Sequence, residues 1–230
     1  MNYNFSTQTK TIAHRGLLAV AFVIACAFFT TAASAQINVP PTPTLITAPE
    51  GAKAFLVGHA KGTQGYVCLP TAPGADTASW TINPARPEAT LFTKVFGQDF
   101  QIITHFASPN TKPNENVTGT PPAAGNATWQ SSFDSSRVWA AVLHGNSVPP
   151  SVDNPSCPNL GSINCLLLTS VGNDVGPTGG RFLAEVTFVQ RLNTRGGLAP
   201  VAGCSTSDDV GKQALVPYTA DYYFYHGGVE

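Results

Sequence analysis

A histidine near pKa 6.5 exchanges a proton at ordinary pH. His105 stands late in the alternating run "FGQDFQIITHFAS", just before a long polar segment. Asp134 is followed by Ser135 and Ser136, so a hydrolase can be drawn with His105 as base, Asp134 beside it and a serine as nucleophile. Geometry defines such a triad, and spacing does not. The chain also has no G-x-S-x-G elbow in a strand-turn-helix context. His105 is therefore read first as a hydrogen-bonding group that orients loops, with no catalytic residue assigned. His59, His144 and His226 have still less context. Asp99, Asp134, Glu185 and Asp221 are carboxylates that a two-carboxylate glycosidase would need on facing surfaces, and no spacing brings two of them together.

Binding chemistry has more material. In "QRLNTRGG", residues 190–197, Arg191 supplies a planar fork for a carboxylate, sulfate or phosphate. Asn193 follows it, and the Gly-Gly turn lends backbone N–H groups. Arg191 shares a strand face with Glu185 and is expected to meet Asp221 across a neighbouring strand. Trp80, Trp129 and Trp139 could stack on sugar faces, although tryptophans are more often partly buried. Trp129, directly after the polar segment 107–128, is the expected exposed one. In "PYTADYYFYH", residues 217–226, extended alternation puts Tyr218, Ala220, Tyr222 and Phe224 on a packed face, with Thr219, Asp221, Tyr223 and Tyr225 on the other. The candidate ligand-binding set is thus Trp129, Arg191, Asn193, Asp221, Tyr223 and Tyr225.

The elements that position these residues read as strands. "AKAFLVGHAKGTQGYVCL" predicts two, near Ala54–His59 and Gly65–Leu69, separated by glycines. Further strands are expected in "FGQDFQIITHFAS", "SSRVWAAVLHG", "INCLLLTSV" and "GGRFLAEVTFVQRLN", the last alternating from Phe182. β-branched and aromatic residues dominate these runs, and no amphipathic helix of ten or more residues is evident. The expected fold is mainly β: an antiparallel β-sandwich or barrel-like single domain with long loops. Residues 107–128 are expected to form one such loop, with N-glycosylation patterns at Asn116 and Asn126 that matter only in a glycosylating source.

The N-terminus sets the compartment. Lys10, His14 and Arg15 precede "GLLAVAFVIACAFF" and then "TTAASA", the pattern of a signal peptide cleaved near Ala35. The run is shorter than the roughly 20 apolar residues of a membrane span, so no transmembrane segment is expected. A lipoprotein cysteine at Cys26 is the minor alternative. Residues 36–49 then form a proline-rich extended lead-in with a short edge strand at Thr44–Thr47, and 50–230 a single secreted or periplasmic domain. Without residues 1–35, which carry Lys10 and Arg15 and no acid, ten basic and thirteen acidic residues leave a formal charge of −3. That excludes a basic footprint for nucleic acid. Cys68, Cys157, Cys165 and Cys204 suit two disulfides in an oxidising compartment, although four cysteines permit three connectivities. Cys157 and Cys165 are close enough to staple a loop, which would leave Cys68 to reach Cys204. No C-x-x-C pair or histidine spacing marks a metal site, and no cofactor is implied.

Several segments occur together in order: "GTQGYVC" (62–68), Trp80, "PEATL" (87–91), "THF" (104–106), Trp129 with "DSS" (134–136), "LLL" (166–168), "TFVQRLNTRGGLAP" (187–200), "GC" (203–204) and "VPYTADYYFY" (216–225). In these the chain resembles the secreted bacterial and fungal proteins classed as domain of unknown function 3455, over nearly all of the mature sequence. Segments 187–200 and 216–225 are the most specific. Relatives typically have a glycine after the aspartate at 134 and Pro-Trp before the triple leucine, where this chain has Ser135 and Asn164-Cys165. The Cys157–Cys165 pair looks like an addition to a more common Cys68–Cys204 pair. The resemblance implies a common fold and secretion and supplies no catalytic residues. Some relatives carry a malate dehydrogenase label, which this chain does not support, lacking any G-x-G-x-x-G turn in a βαβ unit. The expected function is a non-catalytic binding or surface-associated module for a glycan or small extracellular ligand. The alternatives are a structural or stress-related protein without a pocket, and the His105/Asp134 hydrolase. The oligomeric state is left open.

Overall fold

The computed structural model describes residues 37–115, 122–142 and 145–228. The leader at 1–35 with Cys26, the Asn116 sequon and His144 lie outside the described residues. Nine strands follow in order: β1 (Lys53–Pro70), β2 (Ala78–Val95), β3 (Gln98–Ser108), β4 (Asn126–Ser131), β5 (Arg137–Ala141), β6 (Ser147–Val148), β7 (Cys165–Asp174), β8 (Phe188–Gly196) and β9 (Gln213–His226). Each pairing is antiparallel. The order β5-β4-β3-β2-β1-β9-β8-β7 closes through a β5–β7 ladder, Arg137 against Asp174 to Ala141 against Thr169. The result is an eight-stranded antiparallel barrel, with β6 as a ninth strand beside the start of β7.

β1 is one 18-residue strand where two shorter ones are expected from the sequence. Its glycines mark close approach. A Cβ on Gly62 would sit 2.0 Å from the Glu88 carbonyl oxygen, and one on Gly58 would meet Leu91 at 2.9 Å. Only glycine lets β2 lie this close, so its usual meaning as a turn signal fails here. β2 itself contains Pro84 and Pro87. Between Gln64 opposite Pro87 and Tyr66 opposite Ile82, the single residue Gly65 on β1 faces residues 83–86 on β2. This wide bulge lies before the β3 ladder begins at Ala89, so both prolines sit where no ladder N–H is required.

Alternation puts Ala60, Ala89, Leu91, Ile103, Trp129, Val138, Leu168, Val189 and the Tyr218–Phe224 face into the inner core. β8 begins at Phe188, six residues later than the alternation suggests. Residues 182–185 form a turn that drives Leu183 and Val186, both buried, into one end of the barrel. Asn173 Nδ2 ties that plug down by donating to the carbonyls of Leu183 and Val186 at 3.2 and 3.1 Å.

A second apolar layer lies outside β7, β8 and β9. There Ile46, Leu167, Phe188, Leu192, Tyr223 and Tyr225 pack with the Cys157–Cys165 disulfide and with Ile37 and Val39. Residues 44–46 form a 3-10 turn in place of the expected edge strand, and this turn places Ile46 in the layer. Gln190 Nε2 donates to the Ile46 carbonyl, and the Tyr225 hydroxyl donates to Gln190 Oε1 at 2.6 Å. Cys68–Cys204, whose ends are 136 positions apart in sequence, is the other disulfide. Replacing Gln190 with Leu strands two buried partners and is expected to lower unfolding free energy by about 2–4 kcal/mol. Tyr225→Phe, which removes one bond, should cost about 1–2 kcal/mol. Urea titration measures both, and equal, negligible losses would show that the Gln190 bridge does not hold the lead-in.

Candidate functional site

The end of the barrel away from the Leu183 plug contains a cavity of about 370 Å³. Each wall has a sequence origin. Gln64 comes from the inward face of β1, and the bulge contributes Ile82, Asn83, Pro84 and Pro87. β4 and β5 contribute Ala127, Trp129 and Ala140, and β7 adds Leu166 and Leu168. His105, Arg191 and Tyr222 complete the polar inventory with Asn126. Inward positions on β1, β2 and β5 are mostly glycine or alanine, the bulk comes from Trp129 on β4 and Tyr222 on β9, and the small residues leave space.

Trp129 is 1% exposed, which corrects the expectation of a solvent-facing platform. Its ring stacks on His105 with centroids 4.3 Å apart and an 8° interplanar angle, and meets Tyr222 edge-on at 5.6 Å. Its indole Nε1 is buried with no hydrogen-bond partner, an uncommon state for a buried donor. Trp139 is also buried and donates to Ser108 Oγ at 2.9 Å. Trp80 is half-buried and donates to the Ala202 carbonyl. Residues 109–115 fold back over β7 where a free loop is expected: Asn110 and Asn114 donate to the Val171 and Ser170 carbonyls. The Asn126 sequon opens β4 with its side chain buried.

His105 Nδ1 lies 2.9 Å from the Thr128 carbonyl oxygen, so it is the donor nitrogen, which leaves Nε2 as the acceptor. Burial pushes its pKa down to about 4; the Thr128 bond opposes this and the Arg191 charge adds to it. Asp134 does not meet it. Its Oδ2 accepts from Phe182 N at 2.9 Å and its Oδ1 from Ser136 N and Oγ at 3.0 and 2.7 Å. Burial works against ionisation there, yet these hydrogen bonds hold its pKa at about 2. Asp134 thus latches the β4–β5 turn to the plug. The hydrolase pairing is not formed.

Arg191 half-buries its side chain at the cavity. Nε and Nη2 donate to the Asn164 carbonyl at 3.1 and 2.8 Å. The expected contact with Asp221 is absent: β8–β9 register sets Arg191 opposite Tyr222 and Leu192 opposite Asp221, so Arg191 points inward and Asp221 outward. Glu185 instead pairs with Arg181. Asp221 and Asn193 do converge, on the outer surface. Asn193 Nδ2 donates to Asp221 Oδ2 at 3.1 Å, and His59 Nδ1 lies 2.7 Å from Oδ1. Tyr223 and Tyr225 are buried beneath the lead-in, while Tyr222, assigned to the packed face, lines the cavity. Its hydroxyl lies 3.0 Å from that of Tyr218.

Sequence reasoning missed Gln64, the β2 bulge and Tyr222. The available signal was the inward parity shared by Val189 and Arg191, which places an arginine on an otherwise apolar face. Among the described residues, no group of three or more His, Cys, Asp and Glu is placed to hold a metal ion. No helix there is long and apolar enough to cross a membrane.

Barrel and cavity together define a single-domain β-barrel protein with a recess lined mainly by apolar side chains. The chain belongs to the family described as "Protein of unknown function (DUF3455)", whose model matches residues 49–226. Comparisons with curated proteins and with solved structures return no significant match.

The His105 environment makes a pH prediction. Its pKa is about 4 folded against an ordinary unfolded value of about 6.5. The unfolded chain therefore binds the extra proton as pH falls from about 6.5 to about 4, and stability is lost over that window. The charged or titratable groups acting on the ring are Arg191 from β8 and Tyr222 from β9. Between pH 7 and about 4.5, wild type is expected to lose about 2 kcal/mol more than His105→Gln, read by urea unfolding. Parallel pH profiles would contradict a neutral, buried His105.

Proposed function

We propose that this protein is an exported, non-catalytic binding protein that takes a small, mainly apolar organic molecule inside its barrel. The observation carrying this reading is the recess of about 370 Å³ bounded by the β2 bulge, Trp129 and Tyr222. Ligand sites are typically concave, mostly apolar and equipped with a few placed polar groups. Gln64, His105 and Arg191 supply such groups. A ligand gains by removing its own apolar surface and that of Ile82, Ala127, Leu166 and Leu168 from water. The surrounding closed ladder requires little reorganisation, which limits the ordering cost.

Export is supported by the leader pattern ending at Ala35 and by two disulfides that suit an oxidising compartment. A glycan platform has less support, since Trp129 and Trp139 are both buried and a sugar needs an accessible aromatic face.

Titration with the neutral fluorophore N-phenylnaphthylamine tests the reading. Saturable binding with enhanced emission is expected in wild type. Ala127→Phe, which fills a half-buried wall position, should weaken it by about tenfold or more through lost space. Absence of saturable binding, or equal binding by a folded Ala127→Phe protein, would overturn an internal site.

A further inference from the structure

We propose that the molecule held in the barrel is a small organic monocarboxylate whose carboxylate pairs with Arg191 while its apolar body lies against the Trp129 side of the recess. This rests on the barrel interior being the binding site. Among the described residues that line the cavity, Arg191 is the only formally charged one, since His105 is neutral at ordinary pH. Among the described residues it has no carboxylate within ion-pair distance. Two of its nitrogens share one carbonyl oxygen, Asn164 O. A guanidinium carries five N–H donors in a rigid fork, so the Asn164 contacts leave Nη1 and part of Nη2 for a ligand. The Asn164 carbonyl fixes the direction of the fork without neutralising it.

The charge reaches the interior. Arg191 acts electrostatically on His105, Tyr66 and Tyr218, which lie on β3, β1 and β9. An uncompensated cation against apolar walls is costly unless an anion joins it. One guanidinium balances one negative charge. A phosphate dianion would bring a second charge with no cation to meet it, and a cationic ligand would be repelled. The neutral His105 ring adds no positive charge.

Size narrows the class. The recess of about 370 Å³ equals the liquid volume of about twelve waters. It therefore suits a compact body of roughly ten to seventeen non-hydrogen atoms rather than a long acyl chain. A compact aromatic or branched acid meets those limits.

Displacement of N-phenylnaphthylamine by cinnamate and by cinnamamide tests the charge directly, because the two share one apolar body. At a pH where the acid is ionised, cinnamate is expected to displace the probe at a concentration about tenfold or more below that of the amide, as a charge-assisted pair implies. Arg191→Met should erase that preference, and Arg191→Lys should retain part of it because the charge stays while the fork is lost. Equal potency of acid and amide on the unaltered protein, with the neutral probe still bound and still blocked by Ala127→Phe, would overturn the carboxylate and leave the internal site standing. Failure of the neutral probe to bind would bring down both. The acid-amide comparison needs no variant, so it decides the proposal whether or not Arg191→Met folds.

Discussion

The five-residue ladder between β5 and β7 closes the sheet, and the rest of the structure depends on that closure. Once Arg137–Ala141 pairs with Thr169–Asp174, no barrel edge remains to be covered. Every inward side chain must then share one fixed volume. β1 and β2 fill their part sparingly, with Gly58, Ala60, Gly62 and Ala89 facing in, because the two strands approach too closely for a Cβ at Gly58 or Gly62. Trp129 on β4 and Tyr222 and Phe224 on β9, the strand next to β1, supply the bulk. At the plug end Leu183 and Val186 complete the packing. At the other end no side chain of similar bulk enters among the described residues, and the β2 bulge contributes its prolines to the wall of the gap.

That geometry explains why the site is chemically asymmetric. His105 is held by Thr128 and stacked on Trp129, which keeps it neutral and immobile. Asp134 is committed to the plug at the other end of the barrel, where it bonds Phe182 and Ser136 and does not meet His105. Arg191 is different: its register forces it inward, and among the described residues its hydrogen-bond partner is a neutral carbonyl. The outer layer supports this arrangement. Gln190, next to Arg191 and facing the opposite way, locks β8 to the lead-in and to Tyr225, so the strand bearing the guanidinium is clamped from outside.

Much of the architecture was legible from alternation. The strand character of β3, β5 and β9 and the packed face of Tyr218, Ala220, Tyr222 and Phe224 follow from period-two patterning, and the β-barrel is one of the two architectures this pattern allows. β2 was hidden because Pro84 and Pro87 normally argue against a strand, and only the absence of a third strand alongside makes them acceptable. The glycines of β1 read as breaks although they are contacts. Phe182–Val186 alternates like a strand, yet burial of Leu183 and Val186 three residues apart makes a turn more favourable. The site suffered most. Tyr223 and Tyr225 were assigned to the exposed face, which is correct for a lone sheet, but a proline-rich segment more than 130 residues earlier in the chain covers it. Trp129 and Arg191 were singled out for their chemistry, and their place inside a barrel depends on long-range closure that no local pattern carries.

The central claim is that the barrel interior, and not its aromatic exterior, receives the ligand. A crystal structure of the protein soaked with N-phenylnaphthylamine addresses it most directly. The account predicts the probe inside the recess, in contact with Ala127, Leu168 and Trp129, with the Gln190 bridge unchanged. Probe density at Tyr223 or the His59–Asp221–Asn193 cluster, with the recess filled only by water, would contradict it.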